Sequence, residues 1–305
     1  MSSSSSPPQI DTSPILKGRV SITTNLLSRQ QVKSLRDDAK NLYQKGAFVP
    51  GGLRRRKTAA AHHNQNNGTD DADTTMKTTT DATTRICDIC GIFDDAEAAG
   101  PSSDARDDLL DLMADLRDLL QIDLGIRLSE SMELQYLRYP GGDGNDRKKK
   151  KSGFYGRHFD SSPEDESTCR RKVSLLLYLN DETWDVTKDG GVLRAYLPQS
   201  KTGKKRKRNT DGLDEQRGSI QDITPTGGTL VLFDSASVEH EVLPTHRERW
   251  AVVGWFLLEE DSVSTAQRRK NSGGEKQKRS TQSSHHSGDD QQRRRKKKKR
   301  KRRGG

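Results

Sequence analysis

Gly153-Phe154-Tyr155-Gly156-Arg157-His158-Phe159-Asp160 combines the spacing of a β-strand with two side chains able to hold a metal. Successive strand residues point to opposite faces, so His158 and Asp160 share one side and Phe159 turns into the opposite layer. The surrounding sequence has the period of a barrel. From Glu133 onward come short β-prone stretches: Glu133 to Tyr139, Gly156 to Phe159, Lys172 to Leu179, Gly191 to Tyr196, Ser219 to Ile223, Thr229 to Phe233, Glu239 to Val242 and Trp250 to Leu258. Short strands divided by glycine-bearing or polar turns point to a sandwich or jelly roll. Val173, Leu175, Leu177 and Leu179 alternate with Ser174, Leu176 and Tyr178, as expected of a strand buried on one face and lining a pocket on the other. His158 and Asp160 can then face the barrel interior at its mouth.

The residues before the barrel supply supporting helices, so the fold class is mainly β with α-helical support. Val20 to Thr24 reads as a short strand. Ser28 with Gln31 is a capping box, and Val32, Leu35, Ala39, Leu42 and Tyr43 follow at helical spacing until Gly46. Arg85 to Phe93 reads as a strand. Leu109, Leu112, Met113, Leu116 and Leu120 form the apolar stripe of a helix over roughly Ala105 to Gln121.

Length and charge limit the rest. The chain has 305 residues, of which 29% are hydrophobic, so one domain of roughly 190 to 220 ordered residues with disordered additions is expected. The boundaries read as a Ser/Pro-rich leader over residues 1–15, a domain over 16–260 with its core at 133–258, and a polar, basic tail over 261–305. Polar insertions interrupt the domain at 54–83 and 201–217. The net charge of +10 resembles a nucleic-acid signal, but Arg293 to Arg303 are eleven consecutive basic residues, and without them the charge falls to about −1. The three cysteines, Cys87, Cys90 and Cys169, give no disulfide framework and suit a reducing compartment. Cys87 and Cys90 have the spacing of half a zinc site or a redox pair, or are ordinary strand residues. The N-terminus lacks the basic and apolar regions of a secretory signal, and no stretch approaches eighteen continuous apolar residues, so no membrane span is expected.

His240 and Arg249 complete the chemical pattern. His240 should reach His158 and Asp160 from a strand on the other side of the pocket. Two imidazoles and one carboxylate are the set that holds non-haem Fe(II) on one face and leaves the opposite positions open. Zinc suits the same three residues but gives no reason for an arginine nine residues past His240. Arg249 offers a planar fork for a carboxylate. The combination describes an oxygenase that binds iron and a dicarboxylate co-substrate.

The segment from Gln135 to Phe256 resembles the catalytic domain of Fe(II)/2-oxoglutarate-dependent prolyl 4-hydroxylases, most closely the hypoxia-inducible factor prolyl hydroxylase (EGL-nine-like) branch. The matching words are Tyr139-Pro140-Gly141, Gly153 to Asp160, Leu177-Tyr178-Leu179-Asn180, Trp184-Asp185, Gly190-Gly191-Val192-Leu193-Arg194 and His240-Glu241-Val242-Leu243-Pro244, followed by Arg249 and Trp255. The resemblance implies a double-stranded β-helix that couples oxidative decarboxylation of 2-oxoglutarate to hydroxylation by O2, with L-ascorbate as reductant. It assigns His158, Asp160 and His240 to the metal, and Arg249, Tyr178 and Tyr139 to 2-oxoglutarate. Tyr155, Arg171 and Trp255 would lie near the target proline of a protein substrate, in a setting such as oxygen sensing. A related oxygenase acting on another protein residue or a small molecule is an alternative. A nucleic-acid oxidative demethylase is another, but that family's arginine pair lies further past the last histidine.

This sequence departs from the pattern at 54–83, in the basic loop between Gly144 and Tyr155, and in about twenty extra residues between Leu197 and Ser219. These departures bear on substrate more than on chemistry. Residues 293–303, with Lys204 to Arg208 as a second cluster, read as nuclear targeting that engages an import receptor, or as nonspecific nucleic-acid contact. The expected location is the nucleus, or nucleus and cytoplasm.

Overall fold

Local signals set the helices. The structure, a computed structural model, describes residues 9–51, 84–142, 151–198 and 218–260. After a short α1 (Ser13–Leu16) and β1 (Ser21–Thr23), α2 (Arg29–Gln44) begins at the expected capping box, with Ser28 Oγ accepting from Gln31 N. Its buried face carries Val32, Leu35, Ala39 and Leu42. Three short strands follow, β2 (Val49–Pro50), β3 (Arg85–Ile86) and β4 (Asp88–Gly91), then α3 (Asp95–Ala98). The long α4 (Asp104–Leu124) buries Leu109, Met113, Leu116 and Leu120. It stops at Gly125, whose φ of 61° is the left-handed conformation that glycine adopts without a Cβ clash. No described helix is long and apolar enough to cross a membrane.

The barrel strands are β5 (Leu128–Tyr139), β6 (Gly153–His158), β7 (Arg171–Tyr178), β8 (Leu193–Leu197), β9 (Ser219–Ile223), β10 (Leu230–Asp234), β11 (Glu239–Thr245) and β12 (Arg249–Leu258), with a helical turn α5 (Val186–Asp189) before β8. Together with β1 to β4 they form, among the described residues, a seven-stranded sheet in the order β1-β10-β7-β12-β5-β4-β2 and a five-stranded sheet in the order β3-β6-β11-β8-β9. These two antiparallel sheets with helical support form the expected double-stranded β-helix. The described residues up to Leu257 make one compact unit; of the second, from Leu258, only residues 258–260 are described.

Strand alternation divides the interior. Val173, Leu175, Leu177 and Leu179 join Leu230, Leu232 and Val252 in a cluster completed by α2 and α4. Leu176 and Tyr178 face the other way, with Val231, Phe233, Ala251, Val253 and Trp255, into the space between the sheets. The helices therefore back one face of the large sheet and leave its other face for the site. Beneath them, Asp38 accepts from Arg106 Nε and Tyr136 Oη, both at 3.0 Å, so the buried carboxylate is charge-paired and hydrogen-bonded.

Several expectations need correction. Residues 9–15, assigned from sequence to the leader, are ordered: Ile15 is buried, Ile10 packs on the helical cluster, and Thr12 Oγ1 donates to Asp123 at 2.7 Å. The stretch Arg85 to Phe93 is two strands in different sheets, with β3 pairing β6 and β4 pairing β5 and β2. Cys87 sits at the break, in the inter-sheet cluster, while Cys90 is in the helical one. Phe159 does not enter an opposite layer; it is 50% exposed and lines the mouth of the cavity. The insertions at 54–83 and 201–217, the cluster at Lys204 to Arg208 and the tail from 261 lie outside the described residues.

Candidate active site

His158 ends β6, and Asp160 follows two residues later. His240 does not cross the pocket, as expected from sequence, but lies on the adjacent strand: β11 pairs with β6 with His240 opposite His158. One ligand-capable atom from each of His158, Asp160 and His240 lies within 4.8 Å of the others. His158 Nε2 is 3.4 Å from Asp160 Oδ1, and His240 Nε2 is 3.6 Å from Asp160 Oδ2.

Hydrogen bonds fix the state of each ring. His158 Nδ1 lies 2.8 Å from Gly156 O, and His240 Nδ1 lies 3.1 Å from Val238 O. A carbonyl only accepts, so Nδ1 carries the proton and the Nε2 lone pair is left for a metal. Burial lowers the pKa of His240 and favours the neutral imidazole. Burial alone would raise the pKa of Asp160. The nearby His240, His158 and the Ser174 hydroxyl outweigh it and hold the carboxyl well below its usual range. Two imidazole nitrogens and one carboxylate oxygen are what a divalent iron centre takes. Tyr155 stacks on the His158 ring at 3.7 Å between centroids, and Phe233 packs 4.7 Å from the His240 ring.

The three residues line a cavity of about 690 Å³. Apolar Leu137, Leu176, Val242 and Val253 share its walls with Tyr139, Tyr155, Arg171 and Trp255. Tyr139 links the cavity to Arg249, whose guanidinium carbon is 4.9 Å from the Tyr139 ring and 5.0 Å from the Tyr178 ring. Arg249 is fully buried. Among the described residues, none of its three guanidinium nitrogens has a hydrogen-bond partner, and neither has Tyr178 Oη. Gly191 presses against the arginine stem; with φ +70° it already needs glycine, and a Cβ there would lie 3.0 Å from Arg249 Cδ.

A family model described as "2OG-Fe(II) oxygenase superfamily" matches residues 134–257, which contain all of these groups. Residues 134–257 are a 2OG-Fe(II) oxygenase domain. A hypoxia-inducible factor prolyl hydroxylase of Caenorhabditis elegans is 32% identical over 104 residues, which are 34% of this chain and 11% of that protein. The matched part thus spans only about a tenth of that relative. A crystal structure of a Pseudomonas putida prolyl-4-hydroxylase is 26% identical with a TM-score of 0.55, and the match covers 81% of this chain and 96% of that one. A Trichoplax adhaerens prolyl hydroxylase, solved with a hypoxia inducible factor peptide fragment, shares the fold at 21% identity and TM-score 0.54, covering 80% and 86%.

The residues of the oxygenase domain fit its co-substrate as well as its metal. A buried guanidinium without a counter-charge is costly, and a carboxylate at Arg249 would satisfy it while accepting from Tyr178. Burial raises the Tyr178 pKa to about 12 against the pull of Arg249, so the phenol keeps its proton and can donate. Tyr139 is likewise raised by burial. Arg171 stacks 3.8 Å over Trp255, pairs with Glu133 and donates to Asp160 O at 3.3 Å. Sequence reasoning missed Ser174, Ser235 and Glu133. Ser174 is the small polar residue on the pocket-facing side of an otherwise apolar strand, and that was its signal. Ser235 and Glu133 carried none.

Proposed function

We propose that this chain hydroxylates a proline residue of a protein substrate, using Fe(II), 2-oxoglutarate and O2. The observation that carries this reading is the buried, unpartnered Arg249 beside Tyr178 and the His158–Asp160–His240 cluster. His158 Nε2, Asp160 and His240 Nε2 would hold the iron. Arg249 would bind the distal carboxylate of 2-oxoglutarate as a two-point fork, with Tyr178 Oη as a further donor and Tyr139 as a wall. Bound iron and co-substrate supply the oxidising chemistry; this chain's residues bind, orient and exclude water. Leu137, Leu176, Val242 and Val253 give the cavity apolar walls. Trp255 Nε1 is buried there without a partner among the described residues and could donate to a substrate carbonyl.

The resemblance to prolyl hydroxylases supports proline as the target, with Tyr155, Arg171 and Trp255 at its entrance. Mass spectrometry of proline-containing peptides and proteins incubated with the enzyme should show a gain of one oxygen on proline only when 2-oxoglutarate is added. Modification of a different residue, or of none while 2-oxoglutarate is consumed, would point to another substrate class. L-Ascorbate should prolong turnover by returning oxidised iron to Fe(II).

Residues 293–303 are proposed to direct the chain to the nucleus through an import receptor. The thirty or so residues before them are polar, rich in Ser, Gln, Gly and Lys. Fluorescence imaging should find a variant lacking this run and the Lys204 to Arg208 cluster in the cytoplasm, with turnover intact. Unchanged nuclear retention of that double variant would refute the assignment.

A further inference from the structure

We propose that Ser174, itself oriented by Ser235, makes Asp160 a one-oxygen metal ligand. This rests on the reading of His158, Asp160 and His240 as the iron site. Ser174 and Ser235 are fully buried. Ser174 Oγ lies 2.7 Å from Asp160 Oδ2 and 2.8 Å from Ser235 Oγ. A serine hydroxyl carries one proton, and an ionised carboxylate can only accept. The Ser174 proton therefore goes to Asp160, and Ser235 must donate the second bond. The result is a directed chain from Ser235 through Ser174 to Asp160, in which each bond polarises the next.

Carboxylates bind cations through one oxygen or chelate through both. Each Asp160 oxygen lies within 3.6 Å of an imidazole Nε2, so proximity alone does not choose between them. The Ser174 bond does. With Oδ2 engaged, Oδ1 would be the freer oxygen for a metal, and a position that chelation would fill would stay available for co-substrate or oxygen. The backbone is pinned as well: Asp160 N and Ser161 N both donate to Ser235 O at 3.2 Å. Ser235 thus holds residue 160 through main chain and side chain together.

Two readouts test the chain without relying on turnover. Calorimetric titration of metal-stripped protein with Mn(II) measures the site, and the anaerobic visible absorption of the Fe(II)–2-oxoglutarate complex reports how the co-substrate sits. Ser174→Ala should weaken Mn(II) binding about 10- to 100-fold, the usual effect of losing a partner behind a metal ligand, and shift or weaken the absorption band. Ser174→Thr, which keeps the hydroxyl, should recover most of both, and Ser235→Ala should move them in the same direction as Ser174→Ala by less. If Ser174→Ala does not fold, the Ser235→Ala and Ser174→Thr proteins carry the comparison. His158→Ala is the control. If it leaves Mn(II) binding intact, the metal-site reading itself is wrong. If it abolishes binding while Ser174→Ala, or Ser235→Ala in its place, keeps wild-type affinity and an unchanged band, only the positioning role falls. A defect in Ser174→Ala that Ser174→Thr fails to recover also overturns the proposal, because shape and not the hydroxyl would then matter.

Discussion

His158→Ala should lower 2-oxoglutarate consumption more than about a thousandfold, equivalent to roughly 4 kcal/mol of transition-state free energy. Two imidazole nitrogens and one carboxylate converge at the end of β6, and the Gly156 carbonyl locks His158 in the tautomer that presents Nε2. Without that nitrogen, only Asp160 and His240 would remain of the three candidate ligands. Succinate formation and oxygen uptake, measured with and without added Fe(II), decide the matter. Wild-type protein stripped of metal should be as inactive as the variant and recover on Fe(II) addition. Full turnover in rigorously metal-free protein would end the assignment.

Arg249→Ala should weaken 2-oxoglutarate binding tens- to hundreds-fold while leaving metal uptake largely intact. A buried charge-assisted pair contributes a few kcal/mol, on the order of that change in affinity. The side chain is well placed to have so large an effect: it is fully buried, its stem is held against Gly191, and its nitrogens have no partner among the described residues. Arg249→Lys should give an intermediate defect, since it retains the charge and loses the planar fork. Anaerobic calorimetric titration of the iron-loaded protein with 2-oxoglutarate measures both variants. Wild-type affinity in Arg249→Ala would place the anion elsewhere in the cavity.

Much of this was legible in the sequence because it depends on local spacing. The capping box at Ser28 fixes where α2 begins, and the alternation from Val173 to Leu179 correctly assigns one face of β7 to the helices and one to the cavity. The candidate metal residues and Arg249 are chemically distinctive, and the fold brings them to one region. What was hidden depends on pairing between distant residues. Nothing near His240 shows that its partner strand is β6, and nothing in Arg85 to Phe93 shows that the chain leaves one sheet for the other at Cys87. Ser235 acquires its role only once β7 and β10 lie side by side. The packing of residues 9–15 was hidden because Ile10 and Ile15 are too few to show a period.

The pairing of β8 with β9 determines where this chain can change length. Leu197 faces Ser219 across the two strands, so the backbone that leaves at 198 returns beside itself at 218. Because the cost of closing a loop grows with the logarithm of its length, each doubling adds only about 0.6 kcal/mol. Neither strand lines the cavity, and β9 is at the margin of its sheet. Residues can therefore be gained or lost between these anchors at small entropic cost and without displacing His158, Asp160 or His240. The chain has room there to acquire new recognition sequence while its chemistry stays fixed.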